Sequence, residues 1–550
     1  MKLSVVRQRL IFLTARHRLG LVFAATTLSI FLIDRLAGRL LSTLWQRMES
    51  GNSNPLDIGF APEVWLSVIG LTLGTLVIVI SIAAQTIPKV ADLYMQDWVS
   101  LFYIWFVIGG SAHAVYLKVL QDNSVILPAS LILNLFILLP LAIILAFPYI
   151  FYVLRNIQPD TVIQIIFRRH SSLMRQLTRP SFQTALAKDP YRTALHQSLL
   201  ESLTQLESIF GYVTFKEPKA RVIQVIGMLL QEYVWMKPAL GSRFFQISSA
   251  IRQDLAFQTM ADQFQAIEEN HIFYEQKCYR VLGNAYLRLL EDQEFDLASL
   301  CGTQLIQVGA TALQANDEGL LDITITRINT LMRFALKHGL THNEARHLYN
   351  LVFHYRELIE SLIEFERRQK AQRCVYYLRT YANEIYQQGQ STPQVLFIVD
   401  VVAAEMRTLL IKTHQARWPL EIQRSLLSEM LQVDNPPELD PTSIEPRHKN
   451  SGVRMLQISL ALYYLKVQQP EFVALIIEDI LDDMQILGTQ GFQAMMQRTC
   501  DRLQATQPTY WEETDRGNRN LFYTDDTDQI PHFLEHLDRQ IRRHSLPRSP

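Results

Sequence analysis

Long runs of apolar residues are concentrated in the first third of the chain, whereas the remainder mixes apolar and polar positions at helical spacing. A helix that crosses the hydrocarbon core of a bilayer needs about 20 apolar residues, because each residue advances the helix by about 1.5 Å. Segments at residues 64–87, 98–117 and 125–154 are long enough. The pattern therefore predicts three membrane-spanning helices.

A further apolar stretch covers residues 19–42 and is interrupted by Asp34 and Arg35. It either spans the membrane, with the Arg35 side chain reaching back to the interface, or lies along the membrane surface. The distribution of basic residues bears on this choice.

Lys and Arg are enriched in the cytoplasmic flanks of membrane helices, so their positions predict orientation. Five basic residues precede residue 19, five more lie between residues 155 and 179, and the loop before residue 125 contains only Lys118. Both termini are thus predicted to be cytoplasmic, which requires an even number of crossings. This favours a four-helix transmembrane domain over residues 1–155, in a bacterial-type inner membrane.

Two glycine pairs are predicted to mediate helix packing in this domain. Gly70 and Gly74 have the GxxxG spacing in the second apolar segment, and Gly109 and Gly110 begin a small-residue patch in the third. Small residues allow helix backbones to approach closely in lipid. Packing within one subunit is the favoured interpretation, and a contact between subunits is the alternative.

Few polar side chains interrupt the apolar segments, and Ser111, His113 and Asn134 are the main examples. Polar groups at such depth are costly and are often functional. These residues are candidates to line a pore or a proton path. The alternative, a hydrogen bond between helices, is favoured for His113.

Beyond residue 155 the apolar residues recur every three or four positions, which predicts helices throughout. The expected fold is all-α, with a cytosolic solenoid-like or bundle domain over residues 156–433, a Pro-rich linker over 434–450, a helical block over 451–504 and a mostly irregular tail over 505–550. One helix is predicted to end at Gly339 as a C-cap, with Thr341 and Glu344 forming the capping box of the next helix.

The charge balance argues against nucleic acid as a partner. The chain contains 52 Lys and Arg and 53 Asp and Glu, which gives a net charge of −1, and nucleic-acid binding needs a basic surface. The four cysteines contain no CxxC pair. They indicate a reducing compartment rather than a disulfide framework.

The stretch between the second and third apolar segments contains Gln85, Pro88 and Lys89, followed by Tyr94 and Asp97. This arrangement of small residues, Gln, Pro and a basic residue, then an aromatic residue and Asp, resembles a family of predicted bacterial inner-membrane proteins catalogued as domain of unknown function 2254. The resemblance covers only the N-terminal four-helix part. It implies a four-helix membrane domain in an inner membrane, and it implies no activity.

Motifs for common enzyme chemistry are absent from the sequence, which contains no GxxxxGK[ST], GxGxxG, HExxH or GxSxG. Two ExxH pairs, Glu268 with His271 and Glu344 with His347, make a helical metalloenzyme the least favoured alternative. No catalytic residue, metal ligand or cofactor is predicted. The favoured function is a membrane-anchored helical scaffold that contacts the lipid bilayer and a protein partner or a copy of itself. An oligomeric ion channel or transporter is the main alternative.

Overall fold

The computed structural model describes residue 20 and residues 24–36, 58–86, 98–156, 158–389, 392–434, 451–514 and 517–545. Contacts between residues divide the chain into two units. The first unit comprises Met1–Arg168 with Gln205–Pro218, and the second unit comprises Arg169–Thr204 with Lys219–Pro550. Helix predominates among the described residues of both units, as the sequence predicts.

The first unit begins with four apolar helices. These are α1 (residues 24–36), α2 (Ala61–Thr86), α3 (Trp98–Asp122) and α4 (Pro128–Asn156). Within α2 the stretch Ala61–Val79, together with α3 and α4, is long and apolar enough to cross a membrane. The prediction of three such helices is confirmed. Of the first predicted span, only Gly20 and the residues of α1 are described.

Helix α4 changes its winding near its N-terminal end. Leu133–Leu138 form a π-helical segment between the α-helical stretches Pro128–Ile132 and Leu139–Asn156. A π-helical turn holds more residues than an α-helical turn and is often found at functional sites. This segment carries the fully buried side chain of Asn134.

Gly109 and Gly110 lie where α3 closely approaches its neighbours. A Cβ atom at Gly109 would stand 2.8 Å from Ile30 Cδ1 of α1. A Cβ atom at Gly110 would overlap the indole ring of Trp65 on α2. Both glycines therefore permit contacts between helices of one subunit.

Gly70 and Gly74 do not lie at a contact between helices among the described residues. Both are exposed on α2, and no atom lies within 4 Å of a Cβ added at either position. The nearby side chains of Leu66, Leu71 and Val77 are also exposed. The other side of α2 packs against α3 and α4, so the GxxxG side is not used in contacts among the described residues.

The second unit contains most of the remaining helices. These helices are α5 (Pro159–Leu177), α6 (Pro180–Ala185), α7 (Asp189–Tyr212), α8 (Lys216–Met236), α9 (Ser242–Phe245), α10 (Ser249–Gln253), α11 (Phe264–Glu269), α12 (Phe273–Glu291), α13 (Phe295–Ala315), α14 (Glu318–His342), α15 (Arg346–Glu364), α16 (Arg368–Gln388), α17 (Pro393–Gln415), α18 (Leu420–Leu431), α19 (Ser451–Lys466), α20 (Pro470–Ala505) and α21 (Ile530–Ser545). Helices α5, α7 and α8 each have one part in the first unit.

Helices α12–α20 form a solenoid of two layers. In one layer α13, α15, α17 and α19 pack side by side, and in the other α12, α14, α16, α18 and α20 do so. Most consecutive helices also contact each other across the layers. Fully buried aromatic residues such as Tyr279, Tyr286 and Tyr355 form part of the core. The expected solenoid-like helical domain is therefore present.

Short links with a repeated geometry join the helices of the solenoid. The helix ends are followed by residues with φ between 51° and 58°, namely Gln293, Asn316, Asn343, Glu366, Arg417 and Gln468. At one of them, the N–H groups of Glu366 and Arg367 donate to the carbonyls of Ile363 and Leu362. This pair of bonds is the Schellman motif, which satisfies the last carbonyls of a helix.

The observed helix boundary near Gly339 differs from the predicted one. Helix α14 continues to His342, and Asn343 takes the left-handed conformation instead. Gly339 lies inside α14, where a Cβ atom would stand 2.9 Å from Leu348 Cδ1 of α15. Thr341 Oγ1 donates to a carbonyl one turn earlier in α14 rather than capping α15. The glycine thus serves close packing of two helices.

The region after α20 contains a helix where helical spacing at residues 533–541 predicts one, and also a β-hairpin that the mostly irregular tail expected from the sequence does not include. Thr509–Thr514 (β1) and Gly517–Arg519 (β2) form an antiparallel hairpin. Helix α21 packs against α19 and α20 and buries Phe533 and Leu537. The strands are too short and too charged to give a clear alternating pattern. Most of the predicted Pro-rich linker, at residues 435–450, lies outside the described residues.

Candidate functional site

A groove runs along α15, α17 and α19, and it is called the solenoid groove below. It encloses a cavity of about 620 Å³, which is within the range of about 300–1,000 Å³ found for ligand pockets. Its lining residues are Phe353, Arg356, Ala404, Glu405, Arg407, Thr408, Ile411, Lys412, Gln415, Ser459, Tyr463, Lys466, Val467, Asn520, Leu521, Tyr523, Thr524, Asp525 and Asp526. The groove therefore combines charged, aromatic and aliphatic side chains.

One wall of the solenoid groove is the chain's own C-terminal segment, residues 520–526, which follows β2. Arg407 Nη2 donates to the Leu521 carbonyl at 3.0 Å. Lys466 Nζ donates to Asp526 Oδ1 at 2.6 Å, and this bond raises the pKa of Lys466. The groove thus holds a non-helical acidic segment through one backbone carbonyl and one carboxylate.

A network of ion pairs lies at the other side of the groove and joins α15 to α17. Arg356 Nε lies 2.9 Å from Glu405 Oε2, and Lys412 Nζ lies 2.8 Å from Glu360 Oε2. Arg356 also contacts Glu360. These pairs fix long side chains along the rim of the cavity, so a ligand would meet a pre-ordered polar edge.

Reasoning from the sequence missed the solenoid groove. Glu405 and Arg407 interrupt an apolar run in α17, and both are buried. Charged residues are rarely buried unless they are paired. The two charges within the apolar run were therefore the feature of the sequence that could have indicated the solenoid groove. Arg407 Nη1 donates to Ser459 Oγ at 2.6 Å, and this partner could not be inferred from spacing in the sequence.

A second group of polar side chains, called the polar cluster below, lies in the first unit. The Nε1–H group of Trp65 donates to Asn134 Oδ1 at 3.0 Å. Asn134 Nδ2 lies 3.1 Å from the Gly110 carbonyl and 3.2 Å from His113 Nδ1. Both His113 and Asn134 are fully buried. The cluster therefore links α2, α3 and α4 by hydrogen bonds.

Asp34 joins the polar cluster from α1. Its Oδ2 atom accepts a hydrogen bond from Ser130 Oγ at 3.0 Å and lies 3.7 Å from His113 Nε2. Phe31 packs against the edge of the His113 ring, with 5.6 Å between the ring centroids. Ser111 is buried in α3. The sequence marked Asp34 only as an interruption, because its partners lie about 80 and 100 residues away along the chain.

Most of the family-like motif lies outside the described residues. Pro88, Lys89, Tyr94 and Asp97 are all in the stretch that follows α2, and the backbone of Gln85 belongs to the last turn of that helix. The resemblance of this motif to a known family remains a prediction from the sequence.

The two ExxH pairs take part in structural contacts. Glu268 Oε2 accepts from a backbone N–H group at 2.9 Å, and His271 stacks on Phe245. His347 Nε2 bonds a carbonyl of α14 at 2.8 Å, and burial lowers the pKa of His347 to about 4. Across the described ranges, no three His, Cys, Asp or Glu side chains are grouped as a metal site requires.

Comparisons with known proteins are sparse. No family model matches the chain, and no curated protein matches it. A solved structure described as a circular tandem repeat protein with novel repeat topology and enhanced subunit contact surfaces has a TM-score of 0.33 and 11% identity, covering 96% of this chain and 100% of that chain. A similarity of this size carries no argument about function.

Proposed function

We propose that this protein is a membrane-anchored scaffold in which four N-terminal helices hold a cytosolic solenoid, and that the solenoid groove binds an acidic, extended segment of a partner protein. The observation that carries the proposal is the C-terminal segment, residues 520–526, seated in the groove. Its contacts with Arg407 and Lys466 define the chemistry that the groove accepts.

The choice of an extended acidic ligand follows from these contacts. A donor that bonds a backbone carbonyl recognises a non-helical chain, because helix carbonyls are already bonded internally. A Lys ammonium group favours a carboxylate. The cavity beside the C-terminal segment is about 620 Å³, which is large enough for several side chains of a second segment.

The membrane part of the proposal rests on α2, α3 and α4, which have the length and apolar character of spans, and on the excess of Lys and Arg near both ends of the region. The resemblance to domain of unknown function 2254 supports the same arrangement. Burial of Ser111, His113 and Asn134 inside one subunit does not favour the oligomeric channel, because a pore between subunits needs outward-facing polar groups.

Topology is tested by labelling single cysteines in a variant without the native ones, in oriented membrane vesicles. With four spans, Lys2→Cys and Gln158→Cys are labelled from the cytoplasmic side and Asn123→Cys from the opposite side. Labelling of Lys2→Cys from the same side as Asn123→Cys would show three spans and contradict the four-helix anchor.

The groove is tested in cells with a photo-crosslinking amino acid at Thr408, which lines the cavity, and with a control at Tyr376, which is exposed on α16 in the other layer. Crosslinks from Thr408 to an acidic extended segment of another protein, absent from Tyr376, are expected. Arg407→Ala removes the bond that holds Leu521 in the wall of the groove and is expected to weaken the crosslinks tenfold or more, since a hydrogen bond to a charged group contributes about 1.5–3 kcal/mol. Equal capture at both positions, or capture of a basic or helical segment, would contradict the proposal.

A further inference from the structure

A second cavity of the second unit lies beside α12 and α14, and it is called the arginine cavity below. Its volume is about 270 Å³, just below the range of about 300–1,000 Å³ found for ligand pockets. Arg280 of α12 and Arg327 of α14 both line it. Among the described residues that line this cavity, none is Asp or Glu. Its wall therefore carries positive charge without negative charge, and it shares no lining residue with the solenoid groove.

The two guanidinium groups of the arginine cavity are half-buried without carboxylate partners. Neither Arg280 nor Arg327 forms an ion pair within the described part of the chain, whereas Arg454 contacts both Asp479 and Asp483. Burial lowers the pKa of Arg327, and repulsion by the Arg280 charge also lowers it. Like charges that are held together away from bulk water attract an anion, because an anion relieves their repulsion.

Hydrogen bonds to neutral acceptors hold both guanidinium groups in place. Arg280 Nη1 donates to the Ala256 carbonyl at 2.9 Å, and Arg327 Nη2 donates to Gln276 Oε1. A guanidinium group has several N–H donors, so each arginine keeps donors beyond the one that these bonds use. The planar fork of such donors matches the oxygen atoms of a phosphate group. The arginines are therefore ordered in advance for an oxyanion.

The arginine cavity also has room and apolar surface beside its charges. Gly283 of α12 lines it, and no atom lies within 4 Å of a Cβ added at this position. The cavity thus reaches the backbone of α12 at a point where no neighbouring side chain covers the helix. Met260, Leu287 and Phe334 contribute apolar surface to the same wall. A ligand with an anionic group and an apolar part matches both features.

We propose that the arginine cavity binds a small phosphate monoester, with Arg280 and Arg327 both donating to its phosphoryl oxygens. A phosphate monoester carries a charge of about −1.5 to −2 near pH 7, which balances both guanidinium groups. A carboxylate carries only a single negative charge and would leave one arginine uncompensated. Met260, Leu287 and Phe334 contact the organic part of the ester. Binding is non-covalent and leaves the ester unchanged.

The experiment is isothermal titration calorimetry on the full-length protein in lipid nanodiscs, with phenyl phosphate, inorganic phosphate and benzoate as probes. Phenyl phosphate is expected to bind most tightly, since inorganic phosphate lacks an apolar part and benzoate has less charge. Arg280→Gln and Arg327→Gln are each expected to weaken the binding of phenyl phosphate about tenfold or more, because each removes charged donors. Arg288→Gln, at an exposed arginine of α12, is the matched control and should leave the affinity unchanged.

A third variant blocks the cavity without removing a donor. Gly283→Leu places a side chain in the open space and should abolish binding of phenyl phosphate. Its melting temperature without ligand should not fall, because leucine favours a helix more than glycine does.

Four results would overturn the proposal. Phenyl phosphate that does not bind the unaltered protein, or that binds Gly283→Leu equally well, would exclude this cavity as its site. An affinity unchanged by both arginine replacements would exclude the two guanidinium groups as the donors. Benzoate binding as tightly as phenyl phosphate would indicate a carboxylate site, and inorganic phosphate binding as tightly would make free phosphate the ligand.

Discussion

The two units both bury polar side chains, but they satisfy them in different ways. In the first unit, Trp65, Asn134 and His113 form a chain of neutral hydrogen bonds, and Asp34 is the charged member of this cluster. In the second unit, buried charges meet opposite charges. Arg454 of α19, for example, is buried with Nε 2.7 Å from Asp483 Oδ2, and it also contacts Asp479.

Other pairs in the second unit repeat this arrangement. Lys219 Nζ lies 2.9 Å from Glu294 Oε2, and Lys237 Nζ lies 2.6 Å from Glu275 Oε1 and 2.7 Å from Asp317 Oδ2. Removing a charge from water costs several kcal/mol unless an opposite charge and hydrogen bonds compensate it. The second unit uses such compensation repeatedly, whereas the first unit mostly avoids charge, as expected for helices proposed to lie in lipid.

The largest expected effect comes from removing the partner of one buried carboxylate, Asp483, and one partly buried carboxylate, Asp479. Arg454→Met leaves Asp479 and Asp483 uncompensated and is expected to lower the free energy of unfolding by about 3–5 kcal/mol. The control Arg424→Met removes a more exposed pair with Glu471 and should cost about 0–1 kcal/mol. Chemical denaturation of the full-length protein measures both. Equal losses of unfolding free energy in the two variants would mean that burial of an ion pair does not determine its contribution to stability.

The next effect is acid sensitivity of the second unit. Burial lowers the pKa of His170 to about 3 and that of His347 to about 4. The unfolded chain takes up protons on these groups below about pH 6.5, and the folded chain does not, so stability falls as pH falls. The loss approaches about 1.4 kcal/mol per pH unit for each histidine down to its folded pKa.

His170→Gln should therefore flatten the fall in stability between pH 6.5 and pH 4, as measured by melting temperature against pH. His532→Gln, at an exposed position on α21, is the matched control and should change the slope less than His170→Gln does. An identical slope in the unaltered protein and in both variants would assign the acid sensitivity to other groups.

A smaller effect distinguishes the two glycine pairs of the first unit. Gly110→Ala forces a methyl group against the Trp65 ring and should cost about 1–3 kcal/mol, the usual range for overpacking. Gly74→Ala meets no atom within 4 Å and should not destabilise the helix. Unfolding of the purified protein in mixed detergent measures the difference, and destabilisation by Gly74→Ala would reveal a contact on that side of α2.

The smallest effect concerns the links, whose geometry both units share. Ser124, between α3 and α4, and Glu366, between α15 and α16, have φ values of 64° and 55°. Glu366→Gly should stabilise the protein by about 0.5–1 kcal/mol, because glycine adopts this conformation without strain. Gln372→Gly, inside α16, should cost about 1 kcal/mol. A loss in both variants would show that Glu366 makes a needed contact.

The sequence predicted those features that depend on residues close together in the chain. The lengths of α2, α3 and α4 follow from the continuous apolar runs, and the depth of His113 and Asn134 follows from their positions within these runs. Helical spacing beyond residue 155 predicted helices and a solenoid-like or bundle domain. These properties need no knowledge of distant contacts.

Other features depend on distant contacts and could not be predicted. Arg407 bonds a carbonyl 114 residues away, and Asp34 meets Ser130, 96 residues away. The helix boundary at Gly339 was misplaced because glycine marks both C-caps and close helix contacts. Glu366 and Arg417 adopt the left-handed conformation after a helix end. Neither is a glycine, the residue that normally indicates such an end.

Because of the π-helical segment, the polar cluster depends on the number of residues in α4 as well as on the identity of its side chains. Because successive residues of an α-helix are about 100° apart, deleting one of residues 135–138, which follow Asn134 in the π-helical segment, could restore regular winding while rotating one half of α4 relative to the other. Asn134 and Ser130 would then no longer face His113 and Asp34 together. A single-codon deletion in this stretch would thus separate the cluster without replacing any of its members.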